Sequence, residues 1–280
     1  MQTKDITRGA LICALYGLLL LLNQQTGAWI ETTFSWVGVF PIFIYTMQTN
    51  PKAGFFGLVA MILMTPFFGG FTTWFTFWTF LIIGYLYARR MKKQISHMKN
   101  FIGLLIASWI QNALMILFWS SLFGFDLHQD FAMIQTFLPW IDFFVFTIMV
   151  IGFLALLQSL CIHLLAILLM TRLRIPMRPL TPIYQMHASK SFSIASILMC
   201  LVFFFSQNVL ECSQGIIDFI QIIYFIDIVI LIYYGVLYGL RFCIQKQRRK
   251  WTFFVILAAF IPGVQLIYVV LGIYDGLKQR

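Results

Sequence analysis

The sequence predicts an all-α, polytopic transmembrane helical bundle, and two observations carry that prediction. Long apolar runs recur along the whole chain, of which 61% is hydrophobic and only 10% charged; soluble globular domains carry about 25% charged residues. The connections between those runs also alternate in charge. Lys4 and Arg8, then Lys52, then Arg89, Arg90, Lys92, Lys93 and Lys99, then Arg172, Arg174, Arg178 and Lys190, then Arg241, Lys246, Arg248, Arg249 and Lys250 occupy every second connection. The connections between them carry Glu31, Asp126, Asp130 and Glu211 and no Lys or Arg. Translocation resists Lys and Arg near helix ends, so the cation-rich connections are expected in the cytoplasm, with the N-terminus inside. The net charge of +10 follows from this rule and calls for no nucleic acid. The same loops favour the anionic headgroups of membrane lipids.

A crossing needs about 20 mostly apolar residues, which places helices at about 9–27, 35–48, 54–68, 71–88, 101–123, 139–170, 191–209, 216–241 and 253–274. The first run follows two basic residues, as a signal peptide would. Asn23, Gln24 and Gln25 come after it with no small-x-small cleavage pattern, so it reads as a retained helix. The second and third runs are divided by Gln48-Thr49-Asn50-Pro51-Lys52-Ala53-Gly54, where Pro51 removes a helical donor and biases Asn50 away from helix. Pro66 with Gly69-Gly70 closes the third run in the same way. The sixth run exceeds one perpendicular crossing and must tilt or extend beyond the membrane. Residues 173–190, with Pro176, Pro179 and Pro182, then form a linker expected in the cytoplasm. It separates a six-helix core over residues 1–172 from about three C-terminal helices over residues 191–280. The last run is expected to cross fully rather than to bend at Pro262-Gly263, because each arm of such a hairpin is much shorter than a spanning helix.

Five scattered cysteines have neither a CxxC nor a Cys/His metal spacing, so no metal site and no disulfide framework are expected. There is no phosphate-binding Gly-xxxx-Gly-Lys-Ser/Thr loop, no His-Glu-xx-His and no Gly-x-Ser-x-Gly. The expectation is a protein without a catalytic site or a cofactor, and not an enzyme. Polar groups at membrane depth need a partner. Asp227 lies near the middle of the eighth run with no basic residue at its depth; it serves a proton or cation, or makes a neutral hydrogen bond to Tyr or Gln groups, and the neutral bond is the favoured reading. Gln158 and His163 share the sixth run and can pair with helix five through Gln111 or Asn112. A single His without a second ligand at metal spacing is more often structural. Gly235 and Gly239 suit internal helix packing or self-association. Asp142 and Asp218 stand at helix starts, where negative charge meets the helix dipole favourably.

Four features in order resemble a known family. They are the helix Gly9-Ala10-Leu11-Ile12-Cys13-Ala14 with small residues on one face, a polar outer loop, the turn Asn50-Pro51-Lys52-Ala53-Gly54, and Pro66 with Gly69-Gly70. Together they resemble the S components of energy-coupling-factor (ECF) transporters, small membrane proteins that bind vitamins or metal ions; the turn is similar to the Gly-Pro-Lys-Ala-Gly common there, with Asn50 for the first glycine. Over the whole chain, the proline-containing linker, Gln214-Gly215 and Gly272-Ile273-Tyr274-Asp275 resemble the YybS-like family of bacterial membrane proteins, whose members are similar to S components with further helices. The resemblance implies a bacterial cytoplasmic membrane. It also implies a small-molecule pocket under the first outer loop, with Asn23, Gln24, Gln25, Glu31 and Trp36 in the lid and Trp78 and Asn112 as deeper liners. It further implies that Ala10 and Ala14 dock an ECF coupling subunit that carries separate ATPases, since this chain has no nucleotide site. For each there is a plainer reading: a solvated loop, and ordinary packing of the first helix. A non-transporting membrane scaffold or regulator that reuses the same fold is the alternative function.

Overall fold

The computed structural model describes residues 3–123, 131–132, 136, 142–179, 182–208, 213–247, 250–259 and 263–278. Asp126, Asp130, Glu211, Cys212, Arg248 and Arg249 lie outside the described residues. Among those described, the regular elements are all helical: α1 (Thr3–Gln25), α2 (Trp29–Phe34), a 3-10 turn at Ser35–Gly38, α3 (Val39–Gln48), α4 (Pro51–Lys92), α5 (His97–Phe123), α6 (Phe143–Arg172), α7 (Lys190–Asn208), α8 (Gln214–Gln245), α9 (Trp251–Ala258) and α10 (Val264–Leu277). Among the described residues, six stretches are long and apolar enough to cross a membrane: α1, Trp29–Gln48, α4, His97–Trp119, α6 and α8. The chain is a multi-pass membrane protein. It divides into two compact units, Met1–Leu127 with Val150–Pro179, and His128–Met149 with Leu180–Arg280.

In the first unit, α4 is a hairpin. Gly70 adopts φ 74 and ψ −170 inside it, a conformation open essentially to glycine alone. The rings of Phe55 and Tyr85 lie 6.3 Å apart, whereas the intervening residues in one straight helix would hold them about 45 Å apart. Tyr85 Oη also donates to the Pro51 carbonyl at 3.4 Å. The arms, residues 51–69 and 71–92, are each about 30 Å long, the thickness of the hydrocarbon core, so they are the third and fourth crossings expected from sequence. Arm 71–92 and α3 are shared by two cores. One joins Tyr16 and Leu20 of α1 to Ile42, Met61 and Phe77. The other joins Phe43 and Tyr87 to Leu104 of α5 and to Ile162, Ala166 and Met170 of α6.

The cation-rich segments of this unit meet at one end. Arg8 donates to the Gln48 carbonyl at 3.4 Å, and Lys92 donates to the carbonyls of Thr46 and Thr49. These are the free carbonyls of the α3 C-terminus, where positive charge is favoured. Gln94 donates to the Pro176 carbonyl at 3.3 Å, bringing the segment after α6 to the same end.

In the second unit, α8 and α10 cross at glycines. A Cβ on Gly235 would lie 2.0 Å from the Tyr268 carbonyl oxygen, and one on Gly272 would lie 2.3 Å from that of Leu231. Gly235 and Gly239 thus serve packing within the chain, against α10 and α9 respectively. The single crossing expected at 253–274 is corrected: Gly263, at φ 87, separates α9 from α10. Tyr268 Oη donates to the Val255 carbonyl at 2.6 Å, although thirteen residues of straight helix would separate them by about 20 Å. Both short arms pack on α8, Tyr268 against Gly235 and Val255 against Gly239, and Gln265 Nε2 donates to the Ala259 carbonyl at the break at 3.1 Å, meeting the need of a broken helix for internal hydrogen bonds.

Candidate functional site

The most connected polar group of the first unit is at the end opposite the cations, where α1 turns into α2. Gly27 and Ala28 both take left-handed conformations, each at φ 64, and reverse the chain. Asn23 holds the reversal: its carbonyl accepts from Ala28 N at 2.8 Å, and its Oδ1 accepts from Glu31 N at 2.8 Å. The Glu31 side chain then reaches arm 71–92. Its Oε2 accepts from Thr73 Oγ1 at 2.7 Å and from Asn23 Nδ2 at 3.3 Å, and its Oε1 accepts from Thr76 Oγ1 at 3.0 Å. Thr73 and Thr76 stand in the first turns after the Gly70 break, so the carboxylate also faces the positive end of a helix dipole. Every hydrogen-bond donor to the Glu31 side chain among the described residues is a neutral group, and together they hold the carboxyl at a fixed place beneath the loop.

The seven residues expected in the pocket divide into four sets. Asn23 and Glu31 are brought together as described, with Asn23 only 1% exposed. Gln24 and Gln25 are exposed at the end of α1. Trp36, half-buried in the 3-10 turn, meets Phe34 and Phe40 edge-on at 6.0 and 6.2 Å. Trp78 stacks on Trp74 at 6.4 Å. Among the described residues, its Nε1 and Nδ2 of Asn112 are buried without a hydrogen-bond partner. Phe75 meets Phe118 at 5.2 Å and Asn100 donates to Met91 Sδ at 3.2 Å, so arm 71–92 and α5 run antiparallel. That register brings Trp78 and Asn112 to within about a turn of one another along the axis.

Deeper in the unit, Gln158 donates to Gln111 Oε1 at 3.2 Å and lies 3.4 Å from Ser108 Oγ, so the partner on helix five is Gln111. His163 is different: its Nδ1 is 2.6 Å from Tyr87 Oη on arm 71–92. Its contacts with α5 are made by rings, His97 at 5.8 Å and Phe101 at 5.7 Å. Sequence reasoning missed the second histidine, His97, because it starts the preceding helix, α5, 66 positions earlier in the chain. Ala10 and Ala14 are exposed on α1, whereas the neighbouring small residues Gly9 and Gly17 face inward against Tyr45 and Met64.

In the second unit, Asp227 accepts from Ser196 Oγ of α7 at 2.7 Å, a hydroxyl in place of the expected Tyr or Gln. A further constellation here escaped the sequence reading. Asp275 of α10 pairs with Arg241 of α8 at 2.6 Å, both side chains at most 7% exposed. Ala188 N donates to the same carboxylate at 3.3 Å, and His187 Nδ1 lies 3.4 Å from it and against Arg241. The available signal was Asp275 itself, the last acidic residue of the chain, standing in an apolar helix. Among the described residues no group of three or more His, Cys, Asp or Glu is arranged to hold a metal.

Residues 14–141 match the model of a family described as predicted membrane protein (DUF2232). That stretch contains the Glu31 cluster, Trp78 and Asn112, but not Gln158, His163 or the Arg241–Asp275 pair. Neither a curated protein nor a solved structure matches the chain. Helical spans and family match together establish a multi-pass membrane protein that, over residues 14–141, is similar to this family of predicted membrane proteins.

Proposed function

We propose that the first unit is the substrate-binding subunit of an ECF-type transporter. In this reading it lies in a bacterial cytoplasmic membrane with its N-terminus inside, takes a small solute from outside, and relies on a separate coupling subunit with ATPases for reorientation. The observation that carries the reading is the pair of buried donors without partners, Trp78 Nε1 and Asn112 Nδ2. Leaving a buried donor unsatisfied costs roughly 1–3 kcal/mol, and a bound solute with hydrogen-bond acceptors would offset that cost while the Trp74–Trp78 stack supplies an aromatic wall. The Glu31 clamp supports it, because it ties the outer loop to arm 71–92 as a lid is tied to its frame. The exposure of Ala10 and Ala14 supports the docking role: small residues on a free helix face let another helix approach closely.

The test is purification from the native membrane in mild detergent, with mass spectrometry of co-eluting proteins and small molecules. The expected result is a coupling subunit with ATPases, and a retained solute that Trp78→Phe together with Asn112→Leu releases. Leu at Ala10 and Ala14 is expected to abolish the protein association but not solute retention. Recovery of the chain without ATPase or solute would instead support a scaffold or regulatory role.

A further inference from the structure

The C-terminal ends of α8 and α10 in the second unit border two adjacent clefts of different character. One, of about 290 Å³, is lined by His187, Tyr238, Arg241, Gln245, Asp275 and Lys278, with Phe242 as a wall. The other, of about 160 Å³, is lined by Cys243, Lys246, Trp251 and Val255 and shares Phe242. In the first, Asp275 neutralises Arg241. Among the described residues, neither Lys278 nor Lys246 lies within ion-pair distance of a carboxylate. The Lys278 ammonium lies 5.5 Å from the centre of the Tyr274 ring, which fixes it beside the cleft. The pair of clefts therefore carries two uncompensated positive charges next to an apolar slot.

Its depth identifies the medium it faces. The 32 residues of α8 span about 48 Å, against a hydrocarbon core of about 30 Å. A centred helix therefore leaves its last turns, from about residue 240, among the headgroups. Trp251 and Tyr274 are exposed at this level, where aromatic side chains anchor to the interface. A soluble anion would use the charges and leave the slot empty; a detergent-like neutral chain would use only the slot.

We propose that these clefts bind one anionic phospholipid. The phosphate takes donors from Lys278, Gln245 and Tyr238, with Lys246 adding the second charge. One acyl chain runs past Phe242 into the slot against Val255. The Arg241–Asp275 pair forms part of the wall of the first cleft, and its opposite charges offset one another there, so that the pair holds α8 and α10 in register beneath the headgroup and leaves the attraction for the phosphate to the two lysines.

The experiment is native mass spectrometry of the full chain in detergent, titrated separately with dioleoylphosphatidylglycerol and dioleoylphosphatidylcholine. The first phosphatidylglycerol is expected to bind at roughly 25-fold lower concentration than phosphatidylcholine. Lys246→Gln with Lys278→Gln, both exposed positions, removes that preference, by about fivefold per lysine. Val255→Trp, which fills the slot, weakens both lipids and leaves their ratio unchanged. Equal binding of the two lipids by the wild-type chain, or a preference that survives the double lysine substitution, would overturn the proposal. So would displacement of phosphatidylglycerol by millimolar inorganic phosphate, which would assign the charges to a soluble anion.

Discussion

The two units each hold a carboxylate in a fixed set of partners, and they do so by opposite means. Glu31 in the first is surrounded by hydroxyl and amide donors from Thr73, Thr76 and Asn23. Asp275 in the second is matched by a full positive charge on Arg241. An ion pair of that burial is closed: removing either partner leaves the other charged and unsolvated, so it acts as a fixed staple. A carboxylate held by neutral donors can exchange them one at a time, since each bond is worth only about 1.5–3 kcal/mol. Exchangeable bonding suits a loop that must open, and permanent pairing suits a packing joint. The difference separates the proposed lid role of the α1–α2 loop from the structural role of the α8–α10 contact.

That contrast can be broken experimentally in a graded series. Arg241→Met should have the largest effect, a loss of about 3–5 kcal/mol, because Asp275 is left buried without its cation. A urea or thermal unfolding midpoint in detergent measures it, and adding Asp275→Leu should restore most of the loss; no recovery would mean that Arg241 acts through packing alone. Glu31→Ala comes next at about 1–3 kcal/mol, since three neutral donors lose their acceptor. Hydrogen exchange should show the outer loop opening while the cores stay protected, and a global loss of protection would contradict the lid reading. Thr73→Val should cost about 1.5 kcal/mol, detectable as coupling with Glu31→Ala in a double-mutant cycle. Asp227→Asn should be the mildest, about 0.6 kcal/mol, the mean for a hydrogen bond inside a membrane bundle; Asn still accepts from Ser196, so a larger penalty would show that the charge itself is used.

The fold was legible wherever backbone chemistry decided it. Pro66 with Gly69-Gly70 marked the turn of α4, and Asn50-Pro51 marked the end of α3, because proline and glycine limit the backbone whatever surrounds them. At Pro262-Gly263 the same signal was present, but arm length argued for a straight crossing. The deciding contacts, Val255 to Tyr268 and Gly239 to Val255, are tertiary and leave no local pattern. The candidate site was legible in part for the same reason. Asn23 and Glu31 were visible as polar residues in one loop, whereas Thr73 and Thr76 looked like ordinary helix residues until the Gly70 break placed them under that loop. Arg241 was accounted for by the charge rule alone, and that sufficient explanation concealed its second role with Asp275.

The Gly70 hairpin also bears on how the chain is made. Its arms are of nearly equal length, and the turn between them, Gly69-Gly70, carries no charge. Neither arm has a flanking cation on the turn side to stop it at the membrane, while Lys52 and Arg89 mark the far end of each. The emerging chain can thus enter the bilayer as a folded pair, which the contact of Phe55 with Tyr85 at the far ends of the arms closes once the second arm has emerged.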